Sequence, residues 1–520
     1  MGFAELYPSY SVFFLYFLTI TACTLLFFVD WGKAAKVFES IKKKTWLLLG
    51  VFIVAGSILR IAVFPAFYHM QIDEPMFIEQ AKHITLDGRI ENCRFIDETM
   101  KGCWTKVTMS PGWPFLLSFS FRLFGDSPNT AFMAVRLLGI LSIVLLFLLG
   151  YLLFKDERIG LWCGFLVMAY PYHVEWSSSA MNAVPSAFFV MLVFFLFILF
   201  TSTKDKFVGV LSLCVYAFAV LIRYENIIFL PALLLGALVT IVPLRGKMKK
   251  FLEKFFPSVL LLITLGAMVL LYFSINMFRV HHSKLLPYLY LSNLPPFIQG
   301  ISMNYFLLPF FLFGIFWLRN NHVLISFLAA PLMVSSVVFI PLLQQMRMIL
   351  IPYFFFSLIA AFGLERAIFH AKEKRVVRMC AILAVFALSS FFLLNYYQNA
   401  TSNEENVLGI LEISSLEGIR DAVSSNCTIV SHLPATIHAS TQAKGMATTQ
   451  SFLTPGAAKS MVRNGNCVYF FYEQSCIRNF EGNSILKCRR MMNEFIMQKT
   501  NELSYGNKSM ALYRITGVVE

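Results

Sequence analysis

Between residues 10 and 395 the chain returns repeatedly to uninterrupted apolar runs of about 17–25 residues. A helix of that length crosses the ~30 Å hydrocarbon core of a bilayer. In lipid every backbone N–H and C=O must be satisfied within the spanning structure, so such runs fold as membrane helices. The composition agrees: 58% of residues are hydrophobic and 14% charged, against roughly 25% charged in a soluble domain. A β-barrel would need alternating ten-residue segments instead. Spans are expected at 10–30, 45–67, 131–154, 159–176, 183–200, 207–222, 227–243, 258–275, 305–318, 323–341, 348–364 and 378–395, about twelve in all. The first run follows MGFAELYPSYS, which has no basic residue, so 10–30 reads as a retained span and not a cleaved signal.

The net charge is +14, and its distribution argues against nucleic acid as a partner. Basic residues collect in alternate short loops: 33–44, 155–158, 203–206, 245–254 and 365–378. That is the pattern by which positive residues stay cytoplasmic and set topology. No basic motif sits in a nucleic-acid-reading fold. With those loops inside, both termini fall outside.

Two stretches break the apolar pattern. The loop at 68–130 is far longer than an ordinary helix connection. Within it, the Pro- and Gly-broken segment 111–125 fits a re-entrant or interfacial placement. The tail, 396–520, carries strand-like runs at 427–433, 467–473 and 510–519 and a helix-like stretch at 412–423, which predicts a small extracytoplasmic α/β domain. Cys93 and Cys103 lie in the loop, and Cys427, Cys467, Cys476 and Cys488 in the tail. An even number in each external segment suggests one and two disulfides in an oxidising space. Zinc is the alternative, but the spacings match no zinc template. Cys23, Cys163, Cys214 and Cys380 read as small buried apolar residues. Asn399, Asn426 and Asn507 open glycosylation sequons.

On this topology the unusual polar groups fall on one face: Asp73-Glu74, then 172–182 with Glu175 and Asn182, Arg223 and Glu225, then Arg279, His281, His282 and Lys284, and finally Arg347. Each has a plain structural role available. Asp73 and Glu74 precede Pro75 and would cap a helix. The arginines would anchor at the interface, and the histidines would be solvated. Together they read as acids facing cations at an external membrane boundary. No phosphate-binding nucleotide loop is present. A lipid-linked phosphate is the natural activated donor for such a face. Transfer from it needs a carboxylate to take the acceptor's proton and cations to hold the phosphate.

The segment IDEPMFIEQA resembles the first-external-loop motif of the GT-C membrane glycosyltransferases, with Asp73, Glu74, Phe77 and Ala81 at the matching places. The most similar group is that of the dolichyl-phosphate-mannose protein mannosyltransferases and the lipid A aminoarabinose transferase. Pro111, Pro114, Phe124, Gly125, Arg136 and Leu137 resemble its following proline-led helix, turn and next span. LIRYENIIFLP (221–231) looks like its Arg-x-Glu segment, and 345–367 is similar to its late Arg-x-x-x-x-Pro span. Gly112 stands where relatives often carry a second proline, and Asn182 stands roughly where they carry another acid.

The resemblance implies a GT-C-like domain over 45–395, with 1–44 an extra helix and basic loop before it. It implies a polyprenyl- or dolichyl-phosphate sugar donor and Asp73 as catalytic base. Glu74 would orient the acceptor, and Arg223, Glu225, Arg279, His282, Lys284, Arg347 and Tyr353 would bind substrate or phosphate. A divalent cation, Mg or Mn, on Glu74 and Glu175 stays open. The expected activity is transfer of a hexose, mannose first among candidates, to a glycan, lipid or protein acceptor. Membrane lipids surround the enzyme, in the plasma membrane or, in a eukaryote, the endoplasmic reticulum, with the site extracytoplasmic. A secondary transporter would show two similar halves with polar groups at the midplane. A non-catalytic scaffold with a binding tail is the other alternative.

Overall fold

The structure, a computed structural model, describes residues 3–66, 73–90, 110–230, 233, 286–303, 305–318, 328–329, 331–336, 346–370, 375–402, 415, 423–424, 427–431, 437, 444–447, 456–477, 484–505 and 508–519. Arg279, His281, His282, Lys284, Cys93 and Cys103 lie outside the described residues, as do the expected span 258–275 and most of 227–243, 323–341 and the helix-like stretch 412–423.

The chain opens with α1 (Phe3–Phe28), which breaks by 75° into α2 (Trp31–Phe38). Asp30 makes the break, accepting from the Lys33 N–H at 3.0 Å as the cap of α2. α3 (Lys43–Ile58) runs into a π-turn at Leu59–Val63. The long loop holds two helices, α4 (Asp73–Asp87) and α5 (Gly112–Phe124), which pack on each other. Then follow α6 (Pro128–Phe154), α7 (Glu157–Ala169), the short α8 (Pro171–Trp176), α9 (Ala183–Thr203) and α10 (Lys206–Ile222). A 3-10 turn at Tyr224–Phe229 closes that series. α11 (Leu286–Ile301) and α12 (Leu308–Leu318) come next. A second 3-10 turn, Met346–Ile349, leads into α13 (Leu350–His370), and α14 (Arg375–Ser402) ends the helical part.

Among the described residues four helices are long and apolar enough to cross a membrane, or five if α1 and α2 form one broken span. The expected span 159–176 is two helices, because Tyr170 is extended and Pro171 starts a new one. Among the described residues α8 belongs to none of the helices long and apolar enough to cross a membrane. Within the stretch that includes α13, 94% of the apolar window is buried, against 17% for α3, so α13 is the central helix and α3 a peripheral one. Of the four membrane cysteines only Cys163 is buried; Cys23 and Cys380 are exposed on helix surfaces and Cys214 is half-buried.

The helices share a polarity. Lys42 pairs with Glu157 at 3.1 Å, Arg158 with Glu365 at 3.5 Å, and the Asp30 N–H donates to Asp205 at 2.8 Å. These contacts gather four of the basic segments at one end of the bundle. The other ends of the same helices carry the start of α6, the loop from α8 to α9, the end of α10 and the turn before α13.

In the tail, β1 (Thr428–Ser431), β2 (Lys444–Ala447), β3 (Val468–Tyr472), β4 (Phe495–Tyr505) and β5 (Lys508–Val518) form one sheet in the order β2-β1-β3-β5-β4. β1 pairs in parallel with β2 and β3, while β5 is antiparallel to β3 and β4. All four β1 residues are buried, as expected of a central parallel strand. Cys427–Cys467 joins the starts of β1 and β3, and Cys476–Cys488 joins the helices Gln474–Ile477 and Ser484–Glu494.

At the far end of α10, α5 comes so close that a Cβ on Gly112 would stand 2.6 Å from the Ile222 backbone nitrogen. The obstacle is backbone and cannot rotate away. Gly112→Ala is therefore expected to destabilise the protein by about 1–3 kcal/mol, the usual scale of overpacking. Thermal unfolding in detergent checks this, and an unchanged midpoint would show that the two helices can separate freely.

Candidate active site

α4 begins with two acids and a proline, a first turn that suits the helix dipole and leaves Pro75 without a missing bond. The two carboxylates then diverge. Glu74 is fully buried. It accepts from the Ser179 hydroxyl at 2.5 Å and from the Ala180 N–H at 2.8 Å. The Ala180 carbonyl in turn accepts from the Trp113 indole N–H at 2.8 Å. One residue of the α8–α9 loop, Ala180, is thus held by α4 through its N–H and by α5 through its carbonyl. Asn182 continues the join, donating to the Ile222 carbonyl at the end of α10 at 3.1 Å. Asn226 donates to the Ser186 hydroxyl at 2.9 Å and the Ala219 carbonyl at 2.8 Å, fixing the turn that carries Arg223 and Glu225.

Asp73 stays partly open, with 28% of its side chain exposed, and faces Arg347 at 3.5 Å. Arg347 projects from the turn before α13 and also lies within electrostatic reach of Arg223 and Glu74. Its remaining contacts are soft. One N–H points at the Met181 sulfur at 3.4 Å, and among the described residues its Nε has no hydrogen-bond partner. Arg223 is buried, donates to the Met348 sulfur, and lies 3.6 Å from Glu225. A thioether is a weak acceptor, so among the described residues the Arg347 guanidinium keeps donor capacity for an incoming anion, with the Arg223 cation beside it. An accessible carboxylate beside two cations can deprotonate one group while stabilising charge on another.

Four of the five polar segments meet here: Asp73 and Glu74, the 177–182 loop, Arg223 with Glu225, and Arg347. The fifth, 278–284, is outside the described residues. Two expected members lie elsewhere. Tyr353 is fully buried in the bundle, its hydroxyl donating to the Leu166 carbonyl at 3.0 Å and its ring stacked on Tyr170, so it is a packing residue. Glu175 turns to the Tyr396 hydroxyl on α14. Glu74 and Glu175 thus serve different partners, and no three His, Cys, Asp or Glu side chains gather among the described residues. The Glu74–Glu175 metal site is therefore not the arrangement found, and no step is derived through a metal.

The structure adds a support that sequence reading passed over. Arg60, at the end of α3, is fully buried and donates to the Gly56 and Val167 carbonyls at 3.1 and 3.2 Å. It also lies 2.8 Å from the His173 Nδ1. Burial first, and the neighbouring guanidinium second, hold the His173 ring well below the usual imidazole range, so its Nδ1 accepts. The His173 carbonyl takes the Ser177 hydroxyl at 2.5 Å, at the entrance to the loop that Glu74 holds. The signal was in the sequence: an ionisable residue inside an apolar run marks a special site.

Residues 108–276 match the family model of dolichyl-phosphate-mannose-protein mannosyltransferase. No curated protein sequence matches the chain. Among solved structures, ArnT from Cupriavidus metallidurans in the apo state superimposes with a TM-score of 0.57 at 13% identity, over 90% of this chain and 97% of that one. The same enzyme bound to undecaprenyl phosphate gives 0.53 at 11% identity, over 91% and 98%. The archaeal oligosaccharyltransferase AglB from Archaeoglobus fulgidus, in complex with an inhibitory peptide and a dolichol-phosphate, gives 0.55 at 13% identity, over 91% and 74%. The chain has the GT-C fold. Within this GT-C fold the matched stretch takes in α5 to α10, including Trp113, the 177–182 loop and Arg223.

Two outcomes follow from the geometry. Glu74→Gln keeps a side-chain oxygen for Ser179 and Ala180, whereas Glu74→Ala strands a buried N–H. The alanine variant is expected to unfold more easily by about 1–3 kcal/mol and the glutamine variant by less; equal losses would mean that the tether contributes nothing. Burial pushes the Glu175 carboxyl up to about 7, with the Tyr396 hydroxyl pulling partly back. A carboxyl raised in the fold is worth most below the usual carboxylate range, and its contribution falls as pH rises to about 7. Glu175→Gln is thus expected to match wild type in thermal midpoint near pH ~4 and to exceed it increasingly toward pH ~8. Parallel curves would refute the burial argument.

Proposed function

We propose that the protein is a glycosyltransferase that moves a hexose, mannose first among candidates, from a polyprenyl or dolichyl phosphate to an extracytoplasmic glycan, lipid or protein acceptor. The observation that carries this is the partly exposed Asp73 carboxylate set 3.5 Å from an under-partnered Arg347. The match to the mannosyltransferase family model and the GT-C fold, found in proteins bound to dolichol-phosphate and undecaprenyl phosphate, support it.

Asp73 takes the proton from an acceptor hydroxyl or amide, whose heteroatom attacks the anomeric carbon. The bond from that carbon to the phosphate oxygen breaks, and the polyprenyl phosphate leaves carrying the extra negative charge. Arg347 and Arg223 hold that charge, and Arg279, His282 and Lys284 are assigned the remaining phosphate contacts. Glu74 fixes the floor of the site through Ser179 and Ala180. Residues 1–44 form a leading helix and basic loop, 45–395 the catalytic domain, and 396–520 an extracytoplasmic domain. The tail's two disulfides favour an oxidising compartment, and the basic loops at the opposite end of the bundle favour a cytoplasmic face there.

The test is turnover of radiolabelled polyprenyl-phosphate mannose and glucose by purified protein in lipid, with candidate acceptors present. One donor is expected to be consumed, and Asp73→Asn to lose about 10²–10⁴-fold in rate while unfolding at the wild-type temperature. A folded Asp73→Asn enzyme with full activity would remove Asp73 as the base. No turnover of either donor would remove the donor assignment.

A further inference from the structure

A cavity of about 300 Å³ opens between the end of α7, α11 and α14, and the transfer chemistry makes no use of it. Tyr170, Tyr172, Gln299, Asn395, Tyr396 and Asn399 line it. Asn395, Tyr396 and Asn399 stand within about one turn of α14, so they share a face.

The aromatic wall is fixed. The Tyr170 hydroxyl donates to the Gly300 carbonyl at 3.1 Å, and its ring stacks on Tyr353. Tyr172 and Tyr396 meet edge to face with centroids 5.0 Å apart, and the Tyr396 hydroxyl is held by Glu175. Three amides and three phenol rings line the space together with Pro171, Met303 and Phe392, and no Lys, Arg, Asp or Glu is among the described lining residues.

That lining selects a chemistry. A phosphate would require a cation, and an acyl chain has no use for three amides. Amides donate and accept, so they pair with hydroxyl groups in either role. Tyrosine rings take an apolar C–H face while keeping a polar edge. The volume sits at the lower end of small-molecule cavities, roughly 300–1,000 Å³. A neutral ring rich in hydroxyls meets all of these conditions.

The cavity also adjoins the Asp73 cluster. A Cβ on Gly300 would stand 2.5 Å from the Ile349 side chain, so α11 and the four-residue turn Met346–Ile349 pack without space between them. Arg347 belongs to that same turn. A ligand in the cavity would touch Gly300 on α11, which packs on the turn that carries Arg347.

We propose that this cavity binds a neutral saccharide ring of the acceptor glycan, a subsite beside the Asp73 centre; the word acceptor rests on the glycosyl-transfer reading above. The subsite narrows the acceptor class to molecules that already carry sugar.

The full chain in lipid nanodiscs, probed by saturation-transfer NMR with methyl mannoside, methyl glucoside and methyl N-acetylglucosaminide, tests it. At least one probe is expected to take up saturation from the wild type. Asn395→Leu should weaken that binding roughly tenfold, the scale of one or two lost hydrogen bonds. Asn399→Leu, on the exposed rim, should weaken it without affecting folding. Binding of none of the probes would overturn the proposal, as would binding that survives both asparagine variants. Donor hydrolysis to water, measured in parallel, keeps the two claims separate. It should persist in Asn395→Leu, and probe binding without any donor turnover would support the subsite while counting against the transfer reading.

Discussion

The Glu74 carboxylate reaches 105 positions along the chain to hold the Ser179 hydroxyl and binds the Ala180 N–H beside it, while Trp113 holds the Ala180 carbonyl. Three segments that are distant in sequence are thereby fastened at one residue, Ala180. A buried carboxylate is tolerable only when donors replace its water. Two donors in this short loop do so. Because Glu74 is committed to the loop, its neighbour Asp73 is left at the surface of the cluster facing Arg347. A pair that merely capped α4 would turn both carboxylates back onto their own helix, and neither the loop nor Arg347 would be engaged.

The charges around Asp73 come from helices that otherwise have little in common. Arg223 follows α10, Arg347 precedes α13, and the two guanidinium groups repel each other. Each also points one N–H at a sulfur, of Met348 and Met181 respectively, and a thioether is a poor acceptor. Asp73 and Glu225 each pair with one of the two arginines, so an incoming anion would share the two guanidinium groups with these carboxylates. The buried Arg60 and His173 support the same region from behind through the start of the 177–182 loop. Glu74, Asn182, Asn226 and Arg60 thus fix the frame, and Asp73 and Arg347 keep some exposure beside the buried Arg223.

Much of the frame was legible in the sequence because apolar run length and basic-loop placement act locally. The ends of α6, α9 and α10 follow from them closely, whereas α3 stops at Ile58, short of the expected 67. The break at Tyr170 was missed because hydrophobicity continues through 159–176, although Pro171 marked it. Gly112 has a structural reason invisible in sequence, namely the backbone of α10 lying against it. In the tail, β5 falls on a strand-like run, but β4, FIMQKTNELSY, is polar along much of its length and reads as surface until its hairpin partner is known. The polar residues were recognisable as a set, because five segments fell on one face. Their division of labour was not. Whether a carboxylate caps, tethers or catalyses depends on partners that lie a hundred residues away, and Tyr353 could be removed from the site only by seeing what surrounds it.

The most direct measurement is the affinity of the purified chain in nanodiscs for a polyprenyl phosphate without sugar, wild type beside Arg347→Gln and Asp73→Asn. If Arg347 holds the phosphate and Asp73 serves the acceptor, Arg347→Gln should weaken binding by roughly tenfold or more, the scale of a lost charge-assisted contact. Asp73→Asn, which removes a negative charge beside the same anion, should bind at least as tightly as wild type. Equal affinities in all three proteins, or a loss confined to Asp73→Asn, would contradict the assignment of this cluster as a phosphate-sugar transfer site.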